Sequence, residues 1–159
     1  MAVLTNVETT TIANAAFLQE VKESNFELWS ILSELREIDF SDASRETTSN
    51  FVHKLTELRD SVALEFSLEE TYGFVDGVPS LNSFGLGDAS LAKSQHRELY
   101  LQLQEICEQT EEAQYRGTIA RDLQIYAGAF EQFDSCFRAH ENYEAELIRC
   151  GLGDRSKSS

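Results

Sequence analysis

The chain has a single proline, eight glycines in 159 residues, and no run of apolar residues approaching the ~20 that a membrane-spanning helix needs. Four of the glycines fall between positions 73 and 87 and two near the end, so helix breakers are almost absent elsewhere and long uninterrupted helices are allowed. Basic residues are also scarce. Thirteen Lys and Arg stand against 28 Asp and Glu, a formal charge of −15 that repels phosphate backbones and anionic lipid surfaces, so neither nucleic acid nor membrane is expected as a partner. The three cysteines, Cys107, Cys136 and Cys150, are odd in number and lack zinc-type or redox-motif spacing; they read as reduced thiols in a cytoplasmic protein. The segment MAVLTNVETTTIANAAF has no basic start and no long apolar core, so a signal peptide is not expected. Ser-His-Asp, P-loop and dinucleotide-binding patterns are missing, which leaves enzyme status open and names no catalytic residue.

What is present is helical periodicity. Hydrophobic residues make up 42% of the chain, with ten Phe, enough for one domain with a real core. Leu18, Val21, Asn25, Leu28, Leu32 and Leu35 step by three and four, the seam of an amphipathic helix ending near Ile38. The polar stretch DFSDASRETTSN breaks it, with Asp42 or Ser44 as N-cap. A second seam runs through Phe51, Leu55, Leu58, Val62, Glu65, Glu69 and Tyr72, ending near Phe74. The Gly- and Ser-rich segment 77–90 reads as a connecting loop that could cover one end. Helix three starts near 88–90 and carries Ala92, His96, Leu99, Leu103, Ile106 and Thr110; the last helix carries Ile119, Leu123, Tyr126, Phe130, Phe133, Phe137, His140, Glu144 and Leu147.

These patterns predict an all-α, antiparallel up-down-up-down four-helix bundle over residues 12–150, roughly 40 Å long, with an N-terminal arm at 1–11 and a disordered tail at 151–159. In that topology the polar exceptions to the apolar seams come to one level, roughly 10–20 Å from one end. They are Asn25, Glu65, Glu69, His96, His140 and Glu144. Three carboxylates in one buried layer repel one another and lose hydration, a cost that a divalent cation or protons must offset. The metal ligands expected on this reasoning are Glu65, Glu69, His96, His140 and Glu144, a set suited to iron, manganese or zinc. Asn25 is expected to hydrogen-bond a carboxylate. Tyr72 and Tyr100 are expected as core residues with bonded hydroxyls, Cys136 as a small buried hydrophobe, Trp29 and the Phe130, Phe133, Phe137 run as core, and His53 as a solvated surface residue.

From about residue 17 to 150 the chain resembles the hemerythrin-like, or HHE cation-binding, domain. The resemblance rests on KESNFELWSILSEL in helix one, on Phe66, Glu69 and Glu70 within EFSLEE, on His96 in SQHRELY, and on His140 with Glu144 in AHENYEAEL. It implies a four-helix bundle with a non-haem iron centre of one or two ions near one end, dioxygen or a small molecule as further partner, and a role in oxygen or redox sensing or iron handling. Glu65 and Asn25 stand where the family has histidines, and Tyr100 where some members have a second histidine on helix three. That more carboxylate-rich set argues against reversible oxygen carriage. The competing reading is a bundle without metal, in which protonated His and Glu pair around water and the chain serves as a regulatory or protein-interaction module.

Overall fold

The computed structural model describes residues 8–79 and 88–153. It is mostly helical, as the scarcity of Gly and Pro requires, with one small sheet. Strand β1 (Thr9–Ala13) leads into helices α1 (Ala15–Ser24) and α2 (Phe26–Arg36), followed by α3 (Arg45–Leu68), a single π-helical turn (Glu69–Gly73), strand β2 (Phe74–Pro79), α4 (Ser90–Arg116) and α5 (Leu123–Gly151). Helix α3 packs against α2 and α4, and α5 packs against α4 and α1. No helix among the described residues is long and apolar enough to cross a membrane.

The seams read from the sequence face inward. Leu28, Leu32 and Leu35 of α2, Phe51, Leu55, Leu58 and Val62 of α3, Leu99, Leu103 and Ile106 of α4, and Phe130, Phe133 and Phe137 of α5 form one buried cluster, each large side chain contributing about 1.5–3 kcal/mol. Trp29 is half-buried and packs on Phe137 at a ring separation of 6.1 Å. Ser44 caps α3, its hydroxyl accepting from the Thr47 amide at 3.2 Å.

Four features depart from the sequence reading. The first helix is two helices: at Asn25 the backbone leaves the helical region (φ −94°, ψ 61°), and the Asn25 side chain accepts from the Leu28 amide at 3.3 Å, ending α1 and capping α2 at once. A residue that can cap stops a helix even when the apolar spacing runs through it. Second, part of the expected arm forms β1, which pairs antiparallel with β2, from Thr9 opposite Pro79 to Ala13 opposite Phe74. The β-branched run TTTI suits an extended strand once a partner is available. Third, the π turn adds a residue to one turn of the second helix and rotates the positions beyond Glu69, so Tyr72 emerges 58% exposed against Phe17 instead of entering the core. Fourth, Cys136 is exposed, one step off the buried Phe137 face, whereas Cys107 is buried and donates to the Leu55 carbonyl. All three cysteines are free. His53 lies on the surface beside Glu57, as expected. The expected tail beyond 153, the first seven residues and positions 80–87 of the expected loop lie outside the described residues.

Candidate metal centre

A second, smaller apolar cluster consists of Leu18, Phe74, Ala89, Ala92 and Leu147. On α4 and α5 the polar seam residues fall between the two clusters, and on α3 Glu65 sits within the larger one, between Val62 and Phe66. On α4, His96 lies between Ala92 of one and Leu99 of the other; on α5, His140 and Glu144 lie between Phe137 and Leu147. The site is therefore a polar layer flanked by hydrocarbon, with clefts that reach His96 and His140 from the sides. Glu65, Glu69, His96, His140 and Glu144 are all buried, with Glu69 and Glu144 at 0% exposure.

Four of the five expected ligands converge. Glu69, His96, His140 and Glu144 each present one ligand-type atom, and these atoms all lie within 4.8 Å of one another. Glu65 stands apart from that group. Its Oε2 accepts from Lys22 Nζ at 3.1 Å and its Oε1 from Asn25 Nδ2 at 2.9 Å, so both oxygens are engaged. Asn25 thus hydrogen-bonds a carboxylate, as its chemistry suggests.

Two residues of the layer escaped the sequence reading. Lys22, on α1, puts its ammonium 2.7 Å from Glu144 Oε1, 2.9 Å from Glu141 Oε1, 2.9 Å from Glu69 Oε2 and 3.1 Å from Glu65 Oε2. Glu141 enters as its fourth carboxylate. A signal for Lys22 was available: it follows Leu18 by four and precedes Asn25 by three, both seam positions, and it is one of only four lysines in an acidic chain. Its length lets the charge reach inward while the stem lies along the seam. Glu141 gives the same signal, following Phe137 by four and preceding Glu144 by three.

An ammonium has three N–H donors, and here they go to Glu65, Glu141 and Glu144. Glu69 receives the charge of Lys22 but no hydrogen bond from it. Both Glu69 oxygens, together with His140 Nε2 and His96 Nδ1, are buried without a hydrogen-bond partner among the described residues. His140 Nε2 is only 2.9 Å from Glu144 Oε1, yet it is off the line of a hydrogen bond. On the other side of that ring, Nδ1 lies 2.8 Å from Gln95 Oε1. A ring nitrogen facing an amide oxygen carries the proton and donates it, which holds the ring with Nε2 turned toward the carboxylates. Phe66 stacks on the His96 ring, with centroids 4.0 Å apart and planes 8° from parallel, fixing its plane.

Electrostatics record the crowding. Burial pushes Glu69 up to about 7 despite His96 and Lys22, which favour its charged form, and burial likewise pushes Glu141 up to about 8 against the pull of Lys22. Burial works against the charged form of Lys22, but Glu144, Glu141, Glu69 and Glu65 together outweigh it and hold the ammonium well above its ordinary range. His96 shows the same contest: burial lowers it, while Glu144 and Glu69 raise it to about 9. Burial would raise Glu144, and the two histidines beside it with the charge of Lys22 hold it well below the usual carboxylate range.

The donor set fits a cation. Carboxylate oxygens and imidazole nitrogens without hydrogen-bond partners, all buried and mutually within reach, are stabilised together by positive charge, which Lys22 supplies from one side. Compared with models of protein families, with curated proteins and with solved structures, the chain matches none.

Proposed function

We propose that the chain is a metal-binding protein built as a hemerythrin-like four-helix bundle, with Glu69, His96, His140 and Glu144 as ligands to a divalent ion. In that arrangement α1 and α2 together count as one helix of the four. The observation that carries this reading is that both Glu69 oxygens and His140 Nε2 are buried, close to the other ligand atoms and without a hydrogen-bond partner among the described residues. Mixed nitrogen and oxygen donors suit iron, manganese or zinc. Iron would give the protein an oxygen- or redox-responsive centre, consistent with a role in sensing or in iron handling. The chain supplies a buried setting. Glu144 accepts from His96, Gln95 holds the ring of His140, and Phe66 holds the plane of His96.

The test is elemental analysis of protein purified without chelator, with an optical spectrum under air and under reductant. Stoichiometric metal that is lost in Glu69→Ala supports the reading; metal-free protein whose melting temperature is unmoved by Fe(II), Mn(II) or Zn(II) overturns it. One observation favours a second reading. Lys22 already supplies positive charge to four carboxylates, so a metal-free regulatory or interaction module would have its own counter-ion. On that reading chelators leave the melting temperature where it was.

A further inference from the structure

Two carboxylates in the layer each turn one oxygen toward Lys22 and the other toward His96, and the Lys22-facing oxygen of Glu144 also lies 2.9 Å from His140 Nε2. Glu69 presents Oε2 to Lys22 Nζ at 2.9 Å and Oε1 to His96 Nε2 at 3.2 Å. Glu144 presents Oε1 to Lys22 Nζ at 2.7 Å and Oε2 to His96 Nε2 at 3.4 Å. Each therefore spans two positions, one held by the ammonium and the other on the His96 side. This is how carboxylates bridge two metal ions in helical bundles, where the cations lie about 3.5–4 Å apart. Here one of the two positions already holds a charge belonging to the chain.

The setting of Lys22 is that of a fixed ion and not of a surface lysine. Its side chain is 15% exposed, its three donors are all engaged, and Glu65, which it shares with Asn25, has no free oxygen left to offer. The helix that carries it is anchored at two points. Leu18, one turn before Lys22, is pressed against Gly73, and Ala15 is pressed against Gly151. Glu65 and Glu141 complete the ammonium's surroundings and take no part in the group around His96.

We infer that Lys22 occupies the second cation position of a carboxylate-bridged pair, with Glu69 and Glu144 as the bridges, and so limits the site to one metal ion. The inference rests on the metal-binding reading proposed for this site. It makes Lys22 the residue that decides nuclearity: removing its charge while keeping its stem opens a second position walled by Glu65, Glu69, Glu141 and Glu144, four oxygen donors suited to a hard divalent ion.

The experiment compares wild type with Lys22→Met, loading each with Mn(II) and reading bound metal per chain after gel filtration together with the electron paramagnetic resonance spectrum. Wild type is expected to bind one ion with the spectrum of an isolated Mn(II), and K22M to bind two with an exchange-coupled spectrum. K22M should also melt lower than wild type in chelator and regain stability when Mn(II) is added. Because four uncompensated carboxylates can prevent folding, K22M/E141Q, which removes one charge of each sign, is run in parallel with the same expectation of two ions. Two coupled ions in wild type overturn the inference and leave the metal reading standing, as does one ion in every chain. No ion in wild type, with or without uptake by the variants, overturns both.

Discussion

The side chain of Leu18 fills the space where a side chain on Gly73 would begin: a Cβ there would stand 2.5 Å from Leu18 Cδ2 and 3.3 Å from Cγ. Leu18 is fully buried and lies one helical turn before Lys22, so this contact sets how closely α1 approaches the π turn that carries Glu69. Gly73→Ala is expected to cost about 1–3 kcal/mol by overpacking. It should also displace Lys22 from Glu69. Urea denaturation measures the cost, and the change should appear in the midpoint and not in the slope.

The start of α1 has less room still. A Cβ on Gly151 would stand 2.5 Å from the Ala15 Cβ and 3.7 Å from its Cα. Leu18 can change rotamer, but the Ala15 methyl cannot move without its backbone. Gly151→Ala should therefore shift or fray the start of α1, seen as faster amide exchange over 15–24 with α3 and α4 unaffected.

Away from the site, Arg36 clamps Asp134 with two parallel hydrogen bonds, Nε to Oδ2 at 2.9 Å and Nη2 to Oδ1 at 2.7 Å, tying α2 to α5. Asp134 is nearly buried while Arg36 keeps about a third of its side chain in water. Asp134→Ala should lower stability by about 1–3 kcal/mol. A double-mutant cycle with Arg36→Met isolates the pair, and a coupling energy near zero would show that the clamp contributes only packing.

How much of the fold and the site was legible in the sequence depends on the kind of force involved. Burial at helical spacing was readable because it is periodic: Phe51, Leu55, Leu58 and Val62 could be placed inward from their spacing alone, and so could the layer holding Glu69, His96, His140 and Glu144. Backbone breaks were not, because they depend on single residues with two uses. Asn25 sits on the seam and also caps, and the π turn at Glu69–Gly73 carries no breaker except the glycine at its end. The pairing of Thr9–Ala13 with Phe74–Pro79 joins segments about 65 residues apart, beyond any local pattern. Lys22 was overlooked for a chemical reason. A charged head is normally assigned to solvent, and only the convergence of four carboxylates makes an inward ammonium favourable.

The metal-free chain should be most stable in mildly acid solution and weaken as pH rises. His96 is raised from 6.5 to about 9, so its contribution is full below 6.5 and is lost as pH climbs through about 9. Glu69 and Glu141 are raised from 4.5 to about 7 and about 8, so the folded state holds their protons more tightly and loses that advantage as pH rises from 4.5 through those values. Glu144 acts in the opposite sense. Its carboxylate is favoured in the folded state, and that contribution disappears as pH falls below 4.5. Melting temperature in chelator should fall steadily from about pH 6 to 9. Lys22→Met should steepen the decline, since the ammonium favours the ionised forms of both Glu69 and Glu141 and its loss leaves their charges uncompensated.

Gln95 offers a test of the metal reading that leaves every ligand in place. Its Oε1 accepts from His140 Nδ1 at 2.8 Å, which holds the ring with Nε2 directed into the layer. Gln95 is half-buried and its hydrogen bond to the site runs through that ring, so Gln95→Ala should change stability little in chelator. If His140 is a ligand, losing its orienting partner should weaken metal affinity by about 10–100-fold. Gln95→Glu, whose carboxylate accepts the same proton more strongly, should retain or raise affinity. Competition of Zn(II) against a chromophoric chelator reads both variants. Equal affinity in wild type, Q95A and Q95E would mean that His140 serves the layer only as a neighbour of Glu144.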